Sequence, residues 1–182
     1  MSFEKTLSEY NSVIHSCREI FINKTKDYGT SWRAMRARSL TDQMFIKAKR
    51  IRTIEESGSQ KIEDSIASEF MGLVNYGYMA LIQLEADPKL PIDLNIETTT
   101  QLYDQEANDV RNLMIAKNSD YGEAWRDMRI SSFTDLILTK LHRIKQIEDN
   151  QGATIISEGA DANYKDIINY SIFALIKMEE LK

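Results

Sequence analysis

Residues 24–56 recur 93 positions downstream as residues 117–149, which confines the chain to folds that build one unit twice. Lys24, Asp27-Tyr28-Gly29, Trp32-Arg33, Met35-Arg36, Ser39, Thr41-Asp42, Lys47, Arg50-Ile51, Ile54 and Glu55 come first. They return as Lys117, Asp120-Tyr121-Gly122, Trp125-Arg126, Met128-Arg129, Ser132, Thr134-Asp135, Lys140, Arg143-Ile144, Ile147 and Glu148. Roughly half of the window is identical, against about one position in seventeen for unrelated segments of ordinary composition. The match resumes with a one-residue shift, Asn75-Tyr76 and Ala80-Leu81-Ile82 answering to Asn169-Tyr170 and Ala174-Leu175-Ile176. Charged residues and both tryptophans survive the copying, so more than an apolar rhythm was kept.

Each copy reads as three helices. Leu7, Ile14, Cys17, Ile20 and Phe21 recur at helical spacing and predict an amphipathic helix over 4–25. The period lapses over 26–40, a predicted loop. Ser39 or Thr41 is then placed to cap a helix over 42–57, which Ser57-Gly58-Ser59 ends. A strongly apolar helix follows over 61–86. In the second copy the expected helices are 99–117, after a Thr98-Thr99-Thr100 cap, then 134–149, a turn at Asn150-Gln151-Gly152, and 156–181. Asp87-Pro88-Lys89-Leu90-Pro91 marks a linker, dividing the chain into a first helical repeat (1–86), a linker (87–97) and a second repeat (98–182). No alternating strand or hairpin signal is present. The expectation is an all-α fold, two tandem three-helix repeats packed as one pseudo-two-fold bundle. Val74, Tyr78, Leu81 and Ile82 would face Ile168, Ile172, Leu175 and Ile176. Burial of each such side chain is worth roughly 1.5–3 kcal/mol, so docking of the halves is favoured.

Bulk properties narrow the partners. A formal net charge of -5 argues against a general grip on duplex nucleic acid but leaves room for a local phosphate pocket. One cysteine, Cys17, excludes an internal disulfide and sits on an apolar stripe, as a buried structural thiol would. No run approaches the ~20 apolar residues of a membrane span, and the charged opening MSFEKTLSEY does not read as a signal peptide. A cytoplasmic protein is expected; a homodimer of the duplicated unit stays open.

Acids on the last predicted helix carry the first chemical suggestion. With 100° per residue, Asn169 lies about 20° from Glu158, Asp166 about 80° away and Asp161 about 60° to the other side. Inward carboxylates need a cation or a basic neighbour. Oxygen ligands suit Mg²⁺, so Glu158, Asp161 and Asp166 form a candidate metal set, with Asn169 beside them. Glu158 and Asp161 also read as solvated first-turn residues. In the first copy Asp64 and Asn75 match Glu158 and Asn169, but Gly72 replaces Asp166, and Glu69 has no matching acid. The second copy is therefore the expected site.

The pairs Lys47 with Arg50 and Lys140 with Arg143 share a helix face and can grip a polyphosphate. Equally, they can form salt bridges with Glu55, Glu148 or the acidic helix. The loop pattern Lys-x-x-Asp-Tyr-Gly-x-x-Trp-Arg-x-Met-Arg supplies a tight turn at Gly29 and Gly122. Its Tyr28, Trp32, Tyr121 and Trp125 read as core plugs or as stacking surfaces for a base. His15 and His142 join no nucleophile, and no Walker loop or zinc motif is present.

This combination, with Lys-x-x-Arg-Ile and an acidic helix ending in Asp-x-x-Asn-Tyr, resembles the nucleotide modification associated domain family, type one. The resemblance covers both copies. More distantly, the acidic helix is similar to that of MazG-like all-α nucleoside triphosphate pyrophosphatases. The resemblance implies a helical bundle that binds a nucleotide or another phosphate-bearing small molecule, with Mg²⁺ as cofactor. It also implies hydrolysis of a (deoxy)nucleoside triphosphate with Glu158 and Asp166 as catalytic acids, or else a non-catalytic binding module of a modification system.

Overall fold

The computed structural model describes residues 2–58, 63–155 and 158–182, without the side chains of residues 63–65. Within it the order is α1 (Ser2–Tyr28), a 3₁₀ turn (Ser31–Ala34), α2 (Ala37–Ser57) and α3 (Glu63–Glu85). The same order repeats as α4 (Ile96–Tyr121), a 3₁₀ turn (Ala124–Asp127), α5 (Ile130–Asp149) and α6 (Ala160–Glu180). No strand occurs among the described residues. None of the described helices is long and apolar enough to cross a membrane.

The same stripes drive both halves. Tyr10, Cys17 and Phe21 are buried on α1, and their copies Tyr103, Val110 and Met114 on α4. Leu40, Met44, Ala48 and Ile51 line the inner face of α2 as Phe133, Ile137, Leu141 and Ile144 line that of α5. Helices α3 and α6 pack against each other at the centre, where Val74, Tyr78, Leu81, Ile168, Ile172 and Ile176 are buried as expected. Their crossing is close because Gly77 has no side chain: a Cβ there would lie 2.4 Å from Ile168 Cγ1.

Polar groups then tie the halves together reciprocally. The Tyr10 hydroxyl on α1 donates to Asn169 Oδ1 on α6 at 2.6 Å, and Tyr103 on α4 donates to Asn75 Oδ1 on α3 at 2.8 Å. Thr41 donates to Glu148 at 2.9 Å while Thr134 donates to Glu55 at 3.0 Å. Asp42 pairs with Lys145 at 3.5 Å and Asp135 with Arg52 at 3.6 Å. Each is a bond between copies, made twice, as a pseudo-two-fold axis requires. These contacts account for the survival of Thr41-Asp42 and Glu55 in both copies.

Several predicted boundaries shift. Helices α1 and α4 continue through Tyr28 and Tyr121, so the Asp-Tyr pairs form last turns rather than loop; the chain leaves the helix at Gly29 (φ 73°) and Gly122 (φ 65°). Ser39 and Thr41 do not cap α2, which starts at Ala37 after extended Arg36; Thr41 is committed to Glu148 instead. Likewise α5 starts at Ile130, and α4 starts at Ile96 under Asn95, whose side chain accepts from the Thr98 amide at 2.8 Å. The start of α6 matters most. Extended Gly159 precedes Ala160, so Glu158 lies outside the helix and the angular argument linking it to Asp166 fails.

Candidate functional site

In the second repeat, Asp166 on α6 is only 5% exposed and its carboxylate is fully engaged by two copied lysines. Lys117 Nζ on α4 lies 2.7 Å from Oδ1, and Lys140 Nζ on α5 lies 2.9 Å from Oδ2. Burial works against the Lys117 ammonium, but the hydrogen bond and charge of Asp166 outweigh it and raise the lysine's pKa. Burial, then the Asp166 charge, pushes the neighbouring Tyr170 hydroxyl up as well. A carboxylate between two ammonium groups is a closed ion cluster.

The proposed metal set does not assemble around it. Asp161 is exposed in the first turn of α6 and Glu158 is exposed ahead of the helix. Among the described residues no three acids, histidines or cysteines come together to hold a metal ion. Asp166, Glu158 and Asp161 therefore do not fit a shared Mg²⁺ site. Asn169 is buried, accepting from Tyr10 and donating to the Val110 carbonyl at 3.4 Å, so its amide holds helices together. What the fold does unite is Glu158 with Lys140 and Arg143, along a wide groove of about 730 Å³ that also includes Asn163 and Ile155. The side chain of Asp64, the first-copy match to Glu158, lies outside the described residues.

The first repeat differs at one decisive position. The Asn75–Tyr103 bond ties α3 to α4 as the Asn169–Tyr10 bond ties α6 to α1, and three residues before these matched asparagines Gly72 stands where the second copy has Asp166. Lys47, the copy of Lys140, lies over that glycine: a Cβ on Gly72 would be 2.9 Å from Lys47 Cε. Lys47 Nζ reaches Glu69 only at 3.4 Å, while Arg50 holds the same carboxylate at 2.7 Å. Lys24, the copy of Lys117, has no ion-pair or hydrogen-bond partner among the described residues.

A crevice of about 160 Å³ opens here between α1 and α3. Lys24, Tyr28 and Trp32 line one side, Gly72, Asn75 and Tyr76 the other, and Lys47 reaches in from α2. Lys47 Nζ stands 5.5 Å from the centre of the Tyr76 ring. Trp32 is 7% exposed, and its indole N–H has no hydrogen-bond partner among the described residues. Tyr28 is 61% exposed at the mouth.

The second-copy tryptophan is covered by its own neighbours. Trp125 stacks on Phe173 with ring centres 4.2 Å apart, and the Arg126 guanidinium lies 4.4 Å from its ring centre. Phe173 stands where the first copy has Met79. Arg126 itself is bound to Glu9 at 2.8 Å and Glu180 at 2.5 Å, whereas Arg33 binds Gln83 at 3.0 Å. Both tryptophans are core residues, as one of the two sequence readings had it. Tyr121 is 77% exposed.

The sequence-stated candidates thus separate. Lys47, Tyr28 and Trp32 share the first-repeat crevice; Lys140 and Arg143 share the second-repeat groove; Arg50 is on Glu69. Glu55 and Glu148 do not pair with these bases but accept from threonines. Sequence reasoning missed Lys24 and Gly72 as site residues. The retention of Lys24 as Lys117 was the available signal, because a lysine kept outside the basic pairs needs its own reason. A family model described as nucleotide modification associated domain 1 matches residues 24–84 and 117–178, one match per repeat. No match was found among curated proteins or among solved structures.

Proposed function

We propose that this chain, which belongs to the nucleotide modification associated domain 1 family, binds a nucleotide by its phosphates in the first-repeat crevice. The observation that carries this reading is Lys24 and Lys47 lining one cavity with Tyr28, Trp32 and Tyr76. An ammonium pair carries six N–H donors, and all but the one that Lys47 turns to Glu69 are open to phosphate oxygens. The exposed Tyr28 supplies a π-face for a base. Size assigns the parts. Clefts that enclose a whole drug-sized ligand run to roughly 300–1,000 Å³, well above the 160 Å³ here. The crevice therefore suits the phosphate end, with the base lying outward over the exposed Tyr28.

Mg²⁺ enters this reading as the counterion of a polyphosphate, since it keeps several waters and binds substrate phosphates readily. A hydrolytic step by general-base catalysis needs a side chain placed to take a proton from water. Glu69, the acid beside Lys47, is occupied by Lys47 and Arg50. Binding without assigned turnover is thus the function the geometry supports best.

The test is a thermal-shift screen of nucleotides with and without Mg²⁺, followed by calorimetric titration of the best ligand. Nucleotides should raise the melting temperature. Lys24→Ala should weaken binding roughly 10- to 100-fold, the worth of one charged hydrogen bond of about 1.5–3 kcal/mol. No nucleotide effect on melting, or unchanged affinity in Lys24→Ala, would refute the reading.

A further inference from the structure

The two repeats present the same pair of lysines to different things. In the second, Lys117 and Lys140 close on the Asp166 carboxylate at 2.7 and 2.9 Å. In the first, Gly72 takes the place of that aspartate, and the crevice opens beside Lys24 and Lys47. A carboxylate and a phosphoryl group offer similar oxygens to ammonium donors. We infer that Asp166 is a built-in substitute for the ligand: the first repeat takes one external oxyanion between Lys24 and Lys47, and the second takes none because its own aspartate fills the equivalent place. This rests on the nucleotide reading only for the location of the site, and it adds the ligand group, the stoichiometry and the residue that decides both.

Two observations converge. Lys24 lacks a partner among the described residues, while its copy Lys117 has one at 2.7 Å. Lys47 lies across the bare Gly72 backbone with only a 3.4 Å contact to a carboxylate that Arg50 already holds at 2.7 Å. Gly72 and Asp166 are equivalents, each three residues before an asparagine that a tyrosine of the opposite copy holds.

The prediction is a reciprocal exchange, read by calorimetric titration with inorganic pyrophosphate. The natural chain should bind one equivalent. Gly72→Asp should supply the first repeat with its own carboxylate and weaken binding at least tenfold; the clashing atoms are the flexible end of Lys47, which can move. Asp166→Ala should create a second equivalent and be stabilised more by pyrophosphate than the natural chain is. Should Gly72→Asp fail to fold, Lys24→Gln serves instead, with at least a tenfold loss expected. Two equivalents in the natural chain, or Gly72→Asp or Lys24→Gln binding within twofold of it, would overturn the inference. One equivalent in Asp166→Ala would overturn it as well. The readings part cleanly: nucleotide binding that ignores Gly72→Asp sinks this inference alone, whereas pyrophosphate binding that follows the exchange, with nucleosides adding no affinity, sinks the nucleotide assignment alone.

Discussion

Replacing Gly77 by alanine pits two effects of opposite sign against each other, and the structure decides which wins. Alanine in a helix interior is favoured over glycine by about 1 kcal/mol, so by propensity the change should stabilise α3. The new Cβ, however, would lie 2.4 Å from Cγ1 and 2.9 Å from Cδ1 of Ile168. Carbon atoms rest at about 3.5–4.0 Å, so the pair must separate by more than about 1 Å. Ile168 is fully buried on α6 and has no open space to enter. Overpacking of this kind costs about 1–3 kcal/mol, and so severe an approach belongs at the upper end. A net loss of about 2 kcal/mol remains, or a fall in melting temperature of roughly 4–8 °C for a chain of this size. Urea denaturation measures it directly. The decisive form is a double-mutant cycle with Ile168→Ala. That substitution alone should cost about 2–5 kcal/mol through the cavity it leaves. Combined with Gly77→Ala it should cost at least 1 kcal/mol less than the sum, because the new methyl fills space that the isoleucine vacated. A Gly77→Ala protein more stable than the parent, or strict additivity within about 0.5 kcal/mol, would show that α3 and α6 do not meet at this point.

Other outcomes follow from the buried polar groups. Tyr10→Phe should leave the Asn169 Oδ1 without its 2.6 Å donor and cost about 1–3 kcal/mol, with Tyr103→Phe costing a similar amount through Asn75; chemical denaturation of each checks the symmetry. Glu106 is buried on α4, and its burial followed by its hydrogen bond with Glu85 pushes its carboxyl up to about 8. Because the native state then holds a proton that the unfolded chain gives up near 4.5, stability should fall as pH rises from 4.5 to 8, by at most about 1.4 kcal/mol per unit. Glu106→Gln should flatten that decline in melting curves recorded across the window; an unchanged slope would remove Glu106 as its source. Cys17, fully buried and with its thiol pushed up to about 12, should react with a thiol reagent only at the rate of unfolding, which a denaturant series would reveal.

Helices were readable from the apolar period alone because each must bury one stripe. Leu7, Ile14, Cys17, Ile20 and Phe21 mark α1 whether or not its partners are known, although the structure buries Tyr10 and leaves Ile20 exposed. Boundaries were not readable to the same degree. Asp27 and Tyr28 look like loop residues by composition, yet they finish α1, since the turn that ends it depends on positive φ at Gly29. Glu158 was drawn into the site by helical geometry that stops one residue later, at Gly159. The roles of Glu55 and Glu148 could not be foreseen either: their partners, Thr134 and Thr41, lie in the opposite copy and meet them only when α2 docks on α5.

By itself the sequence determined that one helical unit is built twice, that the halves share a core, and that Gly72 and Asp166 break the likeness. Those are matters of periodicity and identity, which survive without coordinates. Only the tertiary structure decided which repeat is open. A retained lysine carries the same charge in both copies, but whether it ends on a carboxylate or faces a cavity depends on which helix crosses its path and what side chain that helix places there. Asp166 sets a carboxylate between its two lysines, whereas Gly72 offers none to Lys24 and Lys47.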